Sequence, residues 1–269
     1  MRGRPRRGGA AGAISTEEAM ARRGVPATGK AYSFTRRALV GAAIGVGLFA
    51  AGHGMLARAA EPAVTIPPPA LDPKPAGEGP QTIVLAGGCF WGVQGVFEHT
   101  KGVMHAVSGY SGGSKDTAHY EMVGTETTGH AESVQITYDP KQISYGKILQ
   151  IYFSVAHNPT ELNYQGPDSG PSYRSAIFYA SDEQKRIAAA YIAQLDRAHV
   201  FPAAIVTKLE PFKGFYPAED YHQDFLVLHP TYPYIVFNDL PKVDDLKRLF
   251  PDYYRETPVT VMASSKPTQ

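Results

Sequence analysis

A chain with a single cysteine, Cys89, can close no internal disulfide and can build no metal site from two or more thiolates. Its fold must therefore be held by apolar burial, and 269 residues with 43% hydrophobic content supply enough of it. One domain of roughly 150–200 residues with extensions is the natural size. The formal net charge of +1 hides an asymmetry: residues 1–37 carry nine Lys or Arg against Glu17 and Glu18, and the remainder is mildly acidic. That remainder gathers no basic face to neutralise phosphates, so nucleic acid is not an expected partner.

The chain changes character before the domain begins. Residues 1–37 are basic, rich in Gly and Ala and without hydrophobic period, and no packed structure is expected there. From Ala38 to Ala57 there is no charged residue, and Arg36-Arg37 stands directly before this run. Thr35-Arg36-Arg37-Ala38-Leu39 is similar to a twin-arginine export signal, and Ala57-Arg58-Ala59 has the small-x-small form of a cleavage site. Residues 1–60 are thus read as a basic region and an apolar export signal or anchor, in contact with the membrane or the export machinery. The expected location is the bacterial periplasm or the membrane face, with the cytoplasm as the alternative. An uncleaved anchor and a buried helix are competing readings of the apolar run, and its five glycines weaken both. Residues 61–80 hold seven prolines and are expected to form an extended linker. The folded domain is expected over 81–254, followed by a polar tail over 255–269.

Within the domain the hydrophobic period alternates between two types. Thr82–Ala86 reads as a buried strand, the Gly87-Gly88 pair as a turn, and Phe90–His99 as a helix. Val103–Tyr110 and Glu132–Tyr138 read as strands, the latter with Val134, Ile136 and Tyr138 on one face. Tyr145–Ala156 has helical spacing, and Ser181-Asp182-Glu183-Gln184 resembles a capping box that opens a helix through Leu195. Arg174–Tyr179 and Ala203–Leu209 complete a β-α-β-β-α-β-α-β order. The expected class is α+β, a two-layer sandwich with helices packed on a mixed sheet, of split βαβ (ferredoxin-like) type.

The strand and turn place Cys89 at a helix N-terminus, where unpaired N–H groups and the helix dipole favour an anion. A thiol titrating near ~8.5 is expected to be lowered there, giving a nucleophile at neutral pH. The competing reading is a small buried hydrophobe, the commoner fate of a lone cysteine. Phe90 and Trp91, the latter the only tryptophan, follow immediately. They read either as core anchors or as an aromatic pocket for a small apolar group such as a methyl on sulfur. Glu132 shares strand parity with Val134, Ile136 and Tyr138, so it is expected to point to the apolar side. Desolvation there would keep it protonated as a general acid, whereas an exposed strand end would leave it an ordinary carboxylate. Tyr120 and Tyr173 are candidate phenol donors among 16 tyrosines.

These residues fall within a longer pattern. Gly87-Gly88-Cys89-Phe90-Trp91-Gly92, Gly109-Tyr110-Ser111-Gly112-Gly113, Gly129-His130-Ala131-Glu132, Asn163-Tyr164-Gln165-Gly166-Pro167-Asp168, Ser172-Tyr173-Arg174-Ser175 and Ala218-Glu219-Asp220-Tyr221-His222-Gln223 occur in that order. In this the chain resembles peptide methionine sulfoxide reductases of the A type. The resemblance implies that Cys89 attacks the sulfoxide sulfur, that Glu132 protonates its oxygen, and that Tyr120 and Tyr173 hydrogen-bond that oxygen. It implies that Phe90 and Trp91 hold the S-methyl group and that Asp168 orders the polar side. Its substrate would be the S epimer, in oxidised proteins or as free methionine sulfoxide, and its intermediate a Cys89 sulfenic acid. No bound cofactor and no metal are implied.

Many members of that family carry further cysteines near the C-terminus, and this chain has none. Regeneration is therefore expected to need an external thiol, a thioredoxin-like protein or a small thiol. Asn158, where relatives usually have Asp, and Pro167 and Pro171 in the loop before Tyr173 depart from the common pattern. Two other readings remain: a cysteine hydrolase using His99, His130, His157 or His222 as base, and a binding module in which Cys89 is structural.

Overall fold

The computed structural model describes residues 62–74 and 79–264. The basic region and the apolar run expected as a signal or anchor lie outside the described residues. Among the described residues no helix is long and apolar enough to cross a membrane. Along the chain the elements run β1 (Gln81–Gly87), α1 (Phe90–Glu98), β2 (Val103–Ser111), α2 (Tyr120–Val123), β3 (Ala131–Tyr138) and α3 (Tyr145–Ile151). They continue with β4 (Tyr164–Gln165), β5 (Asp168–Ser169), β6 (Ser175–Tyr179), α4 (Asp182–Arg197), β7 (Lys208–Pro211), β8 (Phe215–Pro217), α5 (Phe225–Leu228) and α6 (Leu240–Leu249).

Six strands form one mixed sheet in the order β7-β6-β1-β3-β2-β8. All neighbours are antiparallel except β6 and β7, which run parallel. Strand alternation sorts the side chains between two faces. Ile83 and Leu85 of β1 and Val134, Ile136 and Tyr138 of β3 join Phe90, Val93, Val96 and Phe97 of α1 in one core with residues of α3 and α4. Burying each such side chain contributes about 1.5–3 kcal/mol. The opposite face is a small patch of Val84, Ala86, Ala131, Ala176 and Phe178 against Phe215. This is an α+β architecture, with the large side chains on the helical face.

Local chemistry explains the helix starts. Ser181 Oγ accepts from Gln184 N–H at 3.1 Å and opens α4, while the Gln184 side chain reaches back to Ala180 N–H at 2.8 Å, one residue before the position that a capping box would use. Ser144 caps α3 in the same way, accepting from Lys147 N–H at 3.1 Å. The helix expected through Ala156 is regular only to Ile151 and then widens into a π-helical turn over Tyr152–Ala156. That turn brings the Tyr152 hydroxyl to Ala86 C=O at 2.6 Å, directly before the Gly87-Gly88 turn.

Two further expectations are corrected. The strand expected over Ala203–Leu209 is β7, beginning at Lys208, because pairing with β6 starts only at Ala176↔Lys208. Before it, Ile205 and Val206 donate instead to the Asp196 carboxylate and Pro159 C=O. The proline-rich stretch read as a linker is laid along the domain over residues 62–74. Ile66 is buried in the main core, Val64 N–H donates to Ser154 C=O at 3.0 Å, and Tyr191 and Gln194 of α4 donate to Pro67 and Pro68 C=O. Asp72 accepts from Gly146 N–H at 2.9 Å and from the Ser144 hydroxyl at the start of α3. The carbonyls that proline leaves without ladder partners are thus satisfied by glutamine and tyrosine side chains, which is why an extended segment can dock. At the other end, Val261 and Met262 N–H donate to the Asp224 carboxylate at 2.9 Å each, so part of the polar tail is docked as well.

Candidate active site

The turn between β1 and α1 is tight because Gly88 takes φ +85°. A Cβ there would lie 2.6 Å from Gln165 Cβ, so glycine is required twice over, by conformation and by space. Gln165 is itself fixed: Asn158 N–H donates to its Oε1 at 2.8 Å and its Nε2 donates to Asn158 C=O at 2.7 Å. Cys89 follows as the residue preceding the first turn of α1. Beside it opens a cavity of about 210 Å³ lined by Cys89, Phe90, Trp91, Tyr120, Glu132, Asp168, Tyr173, Tyr232 and Tyr234. The seven residues singled out from the sequence are thus brought to one cavity, together with two that were not.

Glu132 sits on the helical face of β3 and is only 4% exposed. Its Oε2 accepts from Phe90 N–H at 3.0 Å. Burial pushes its carboxyl up to about 8, against the lowering effect of that hydrogen bond, so it carries its proton near neutrality. Burial also pushes the Tyr120 phenol up to about 12 and raises that of Tyr173, so both remain donors. Tyr120 stands at the rim, with its N–H donating to Glu219 at 3.0 Å, and Glu219 in turn accepts from Tyr110.

The thiol departs from expectation. Burial, and then the nearby carboxyl groups of Glu132, Asp239 and Asp168, push the Cys89 pKa well up, and the Trp91 N–H only partly offsets them. Enclosure in the folded core outweighs the end of a nine-residue helix, so the resting thiol is neutral.

Trp91 is held on three sides. Its Nε1–H donates to His222 Nδ1 at 3.2 Å, its ring stacks on Phe225 at 3.9 Å, and Tyr232 and Tyr234 meet it edge-on. His222 therefore accepts on Nδ1 and is neutral, its pKa lowered by burial. None of the described histidines lines the cavity. His157 is buried behind Gly87, pushed down to about 3, and bonded to Tyr152 C=O, so it cannot serve as a base for the thiol. The hydrolase reading thereby loses its base. Among the described residues no cluster of three or more His, Cys, Asp or Glu is placed to hold a metal.

Sequence reasoning missed Tyr232, Tyr234 and Asp239. Tyr234 donates a short hydrogen bond to Asp168, and Asp239, fully buried under Gly92, pairs with Lys242 at 3.2 Å. The only signal for them was Tyr232-Pro233-Tyr234, an aromatic pair in a segment with no evident period.

A sequence-family model described as peptide methionine sulfoxide reductase matches residues 81–253. The chain is 66% identical over 190 residues to peptide methionine sulfoxide reductase MsrA 2 of Mesorhizobium japonicum, covering 71% of this chain and 97% of that protein. It is 46% identical over 171 residues to MsrA of Thermus thermophilus, covering 64% and 96%. Among solved structures it is similar to the reduced form of Mxr1 from Saccharomyces cerevisiae, with TM-score 0.53, 30% identity, and 61% and 95% covered. With a cysteine facing a protonated carboxyl and two phenols on this fold, these likenesses define a thiol-dependent oxidoreductase. The chain belongs to the peptide methionine sulfoxide reductase family, A type.

Proposed function

We propose that this chain reduces the S epimer of methionine sulfoxide, in oxidised proteins or as the free amino acid, to methionine through a Cys89 sulfenic acid. The observation that carries this reading is the meeting of Cys89, protonated Glu132, Tyr120 and Tyr173 on one cavity walled by Phe90 and Trp91. The S-methyl group is held against the aromatic wall, and the sulfoxide oxygen accepts from the two phenols and the Glu132 carboxyl. As Cys89 Sγ attacks the sulfoxide sulfur, Glu132 gives its proton to the oxygen and takes up the thiol proton. In the adduct the substrate S–O bond and the newly formed S–S bond then break as the hydroxyl bonds to Cys89 sulfur, so that methionine leaves and Cys89 carries the oxygen as a sulfenic acid, with no net proton change. The rise of the resting thiol pKa is consistent with this order, because deprotonation is tied to substrate protonation.

With one cysteine, the sulfenic acid is returned to the thiol from outside. One external thiol displaces water to form a mixed disulfide, and a second releases Cys89 and leaves as the oxidised disulfide. A thioredoxin-like protein or a small thiol supplies these electrons. Cys89→Ser tests the reading: loss of dithiothreitol-dependent sulfoxide reduction with an unchanged circular dichroism spectrum is expected, and retained reduction would end it.

The four strands β6-β1-β3-β2 are read as a split βαβ unit of ferredoxin-like type, supported by their antiparallel order around α1 and α3. Export is proposed on the sequence alone, from Arg36-Arg37 and the charge-free run Ala38–Ala57, with the periplasm or the membrane face as destination. Replacing Arg36-Arg37 by Lys-Lys should leave the full-length chain in the cytoplasm, and unaltered fractionation would refute export by this route.

A further inference from the structure

Tyr234 stands opposite the hairpin that covers the catalytic turn. Its hydroxyl donates to Asp168 Oδ2, and both residues line the cavity that holds Cys89. Asp168 belongs to the β4–β5 hairpin, whose Gln165 packs on Gly88 and is fixed by Asn158. Tyr234 belongs to the other wall. Its C=O accepts from Asn238 Nδ2 at 3.0 Å, and it leads into the π-helical turn Ile235–Asp239, which ends at the buried Asp239 under α1. Its ring meets Trp91 edge-on at 5.8 Å. The single Tyr234 to Asp168 bond therefore joins two walls that approach the cavity from segments 66 residues apart.

Asp168 needs such a partner. A partly buried carboxylate without its donor seeks another, and the other donors lining this cavity are the phenols of Tyr120, Tyr173 and Tyr232 and the carboxyl of Glu132. Capture of Tyr120, Tyr173 or Glu132 by Asp168 would take it away from a bound sulfoxide oxygen. Burial raises the Tyr234 phenol pKa far above its ordinary value, so it donates at every working pH.

We propose that Tyr234 is a positioning residue for the reaction: its hydroxyl occupies the Asp168 carboxylate and holds the hairpin wall closed, leaving Tyr120, Tyr173 and Glu132 free to donate to the substrate oxygen. This rests on the sulfoxide reductase reading. Removing the hydroxyl while keeping the ring leaves the aromatic wall intact, so the effect falls on the chemical step rather than on binding.

The test uses the full chain with free methionine sulfoxide and dithiothreitol, comparing wild type, Tyr234→Phe, Asp168→Asn and the double variant. Tyr234→Phe should lower kcat about tenfold while KM for the sulfoxide stays within about threefold. The double variant should lose no more than the worse single variant, because both changes break one link. A Tyr234→Phe kcat within twofold of wild type, or losses that multiply in the double variant, would overturn the proposal. Should Tyr234→Phe fail to fold, Tyr234→His, which keeps a ring N–H donor, carries the test. Retention of at least a third of the wild-type kcat then supports the proposal, and a loss beyond that overturns it. A wild type without sulfoxide reduction would instead sink the functional reading itself, so the two failures are distinct.

Discussion

The Glu132 carboxyl and the backbone N–H of Phe90 meet at 3.0 Å, one residue from the Cys89 thiol. The bond ties the acid of β3 to the first residue of α1, next to the nucleophile. It also favours the ionised carboxylate, and burial still wins, raising Glu132 from 4.5 to about 8. Sulfoxide reduction should therefore fall as pH rises through about 8, where the proton is lost. Glu132→Gln should lose about 100-fold in kcat and lack that descending limb. A pH profile of kcat/KM for both proteins reads this directly, and an identical limb in the variant would assign it to another group.

The same shift carries a stability cost. Because the folded pKa lies above the unfolded one, folding favours the protonated form, and that contribution is complete below about 4.5 and is lost as pH rises towards 8. At pH 8.5 Glu132→Gln should thus melt higher than wild type, by roughly 3–8 °C, while at pH 4 the two should nearly coincide. Thermal melts at the two pH values check the sign.

Gly88 is the strictest position of the turn. Gly88→Ala places a Cβ 2.6 Å from Gln165 Cβ at φ +85°. The expected result is a loss of about 2–4 kcal/mol in denaturant unfolding, together with activity, since relief requires moving either Cys89 or the β4–β5 hairpin.

Residues 62–74 should behave as part of the domain. Removing the chain before Gln81 uncovers Ile66's place in the core and strips the Asp72 carboxylate from the start of α3. A protein beginning at Gln81 should melt at least 5 °C below one beginning at Pro62, and Asp72→Ala alone should cost about 1 kcal/mol. Equal melting of the two truncations would show that docking contributes nothing.

What was legible in the sequence was local. Alternation along β3 placed Glu132 on the apolar side, and the glycine pair placed Cys89 at the start of α1, because both depend on periods of two to four residues. The acid strength of Cys89 was misread because it depends on enclosure by β3, the hairpin and the C-terminal segment, none of which is adjacent in the chain. Tyr234 and Asp239 were missed for the same reason: their partners, Asp168 and the α1 face at Gly92, lie far away in sequence. The docked prolines were read as a linker because composition reports stiffness and is silent about the glutamine and tyrosine donors waiting on α3 and α4.

That docking changes how far the enzyme could roam from a membrane. An extended chain spans about 3.3–3.6 Å per residue, so a free leash from Ala57 to Gln81 would allow roughly 80 Å of reach. With the strap hydrogen-bonded to the domain from Val64, only seven residues separate Ala57 from that bond, a span of at most roughly 25 Å. Were the apolar run kept as an anchor, the domain would work pressed against the bilayer surface, repairing what lies there. Were it cleaved at Ala59, the docked strap would leave almost no trailing end.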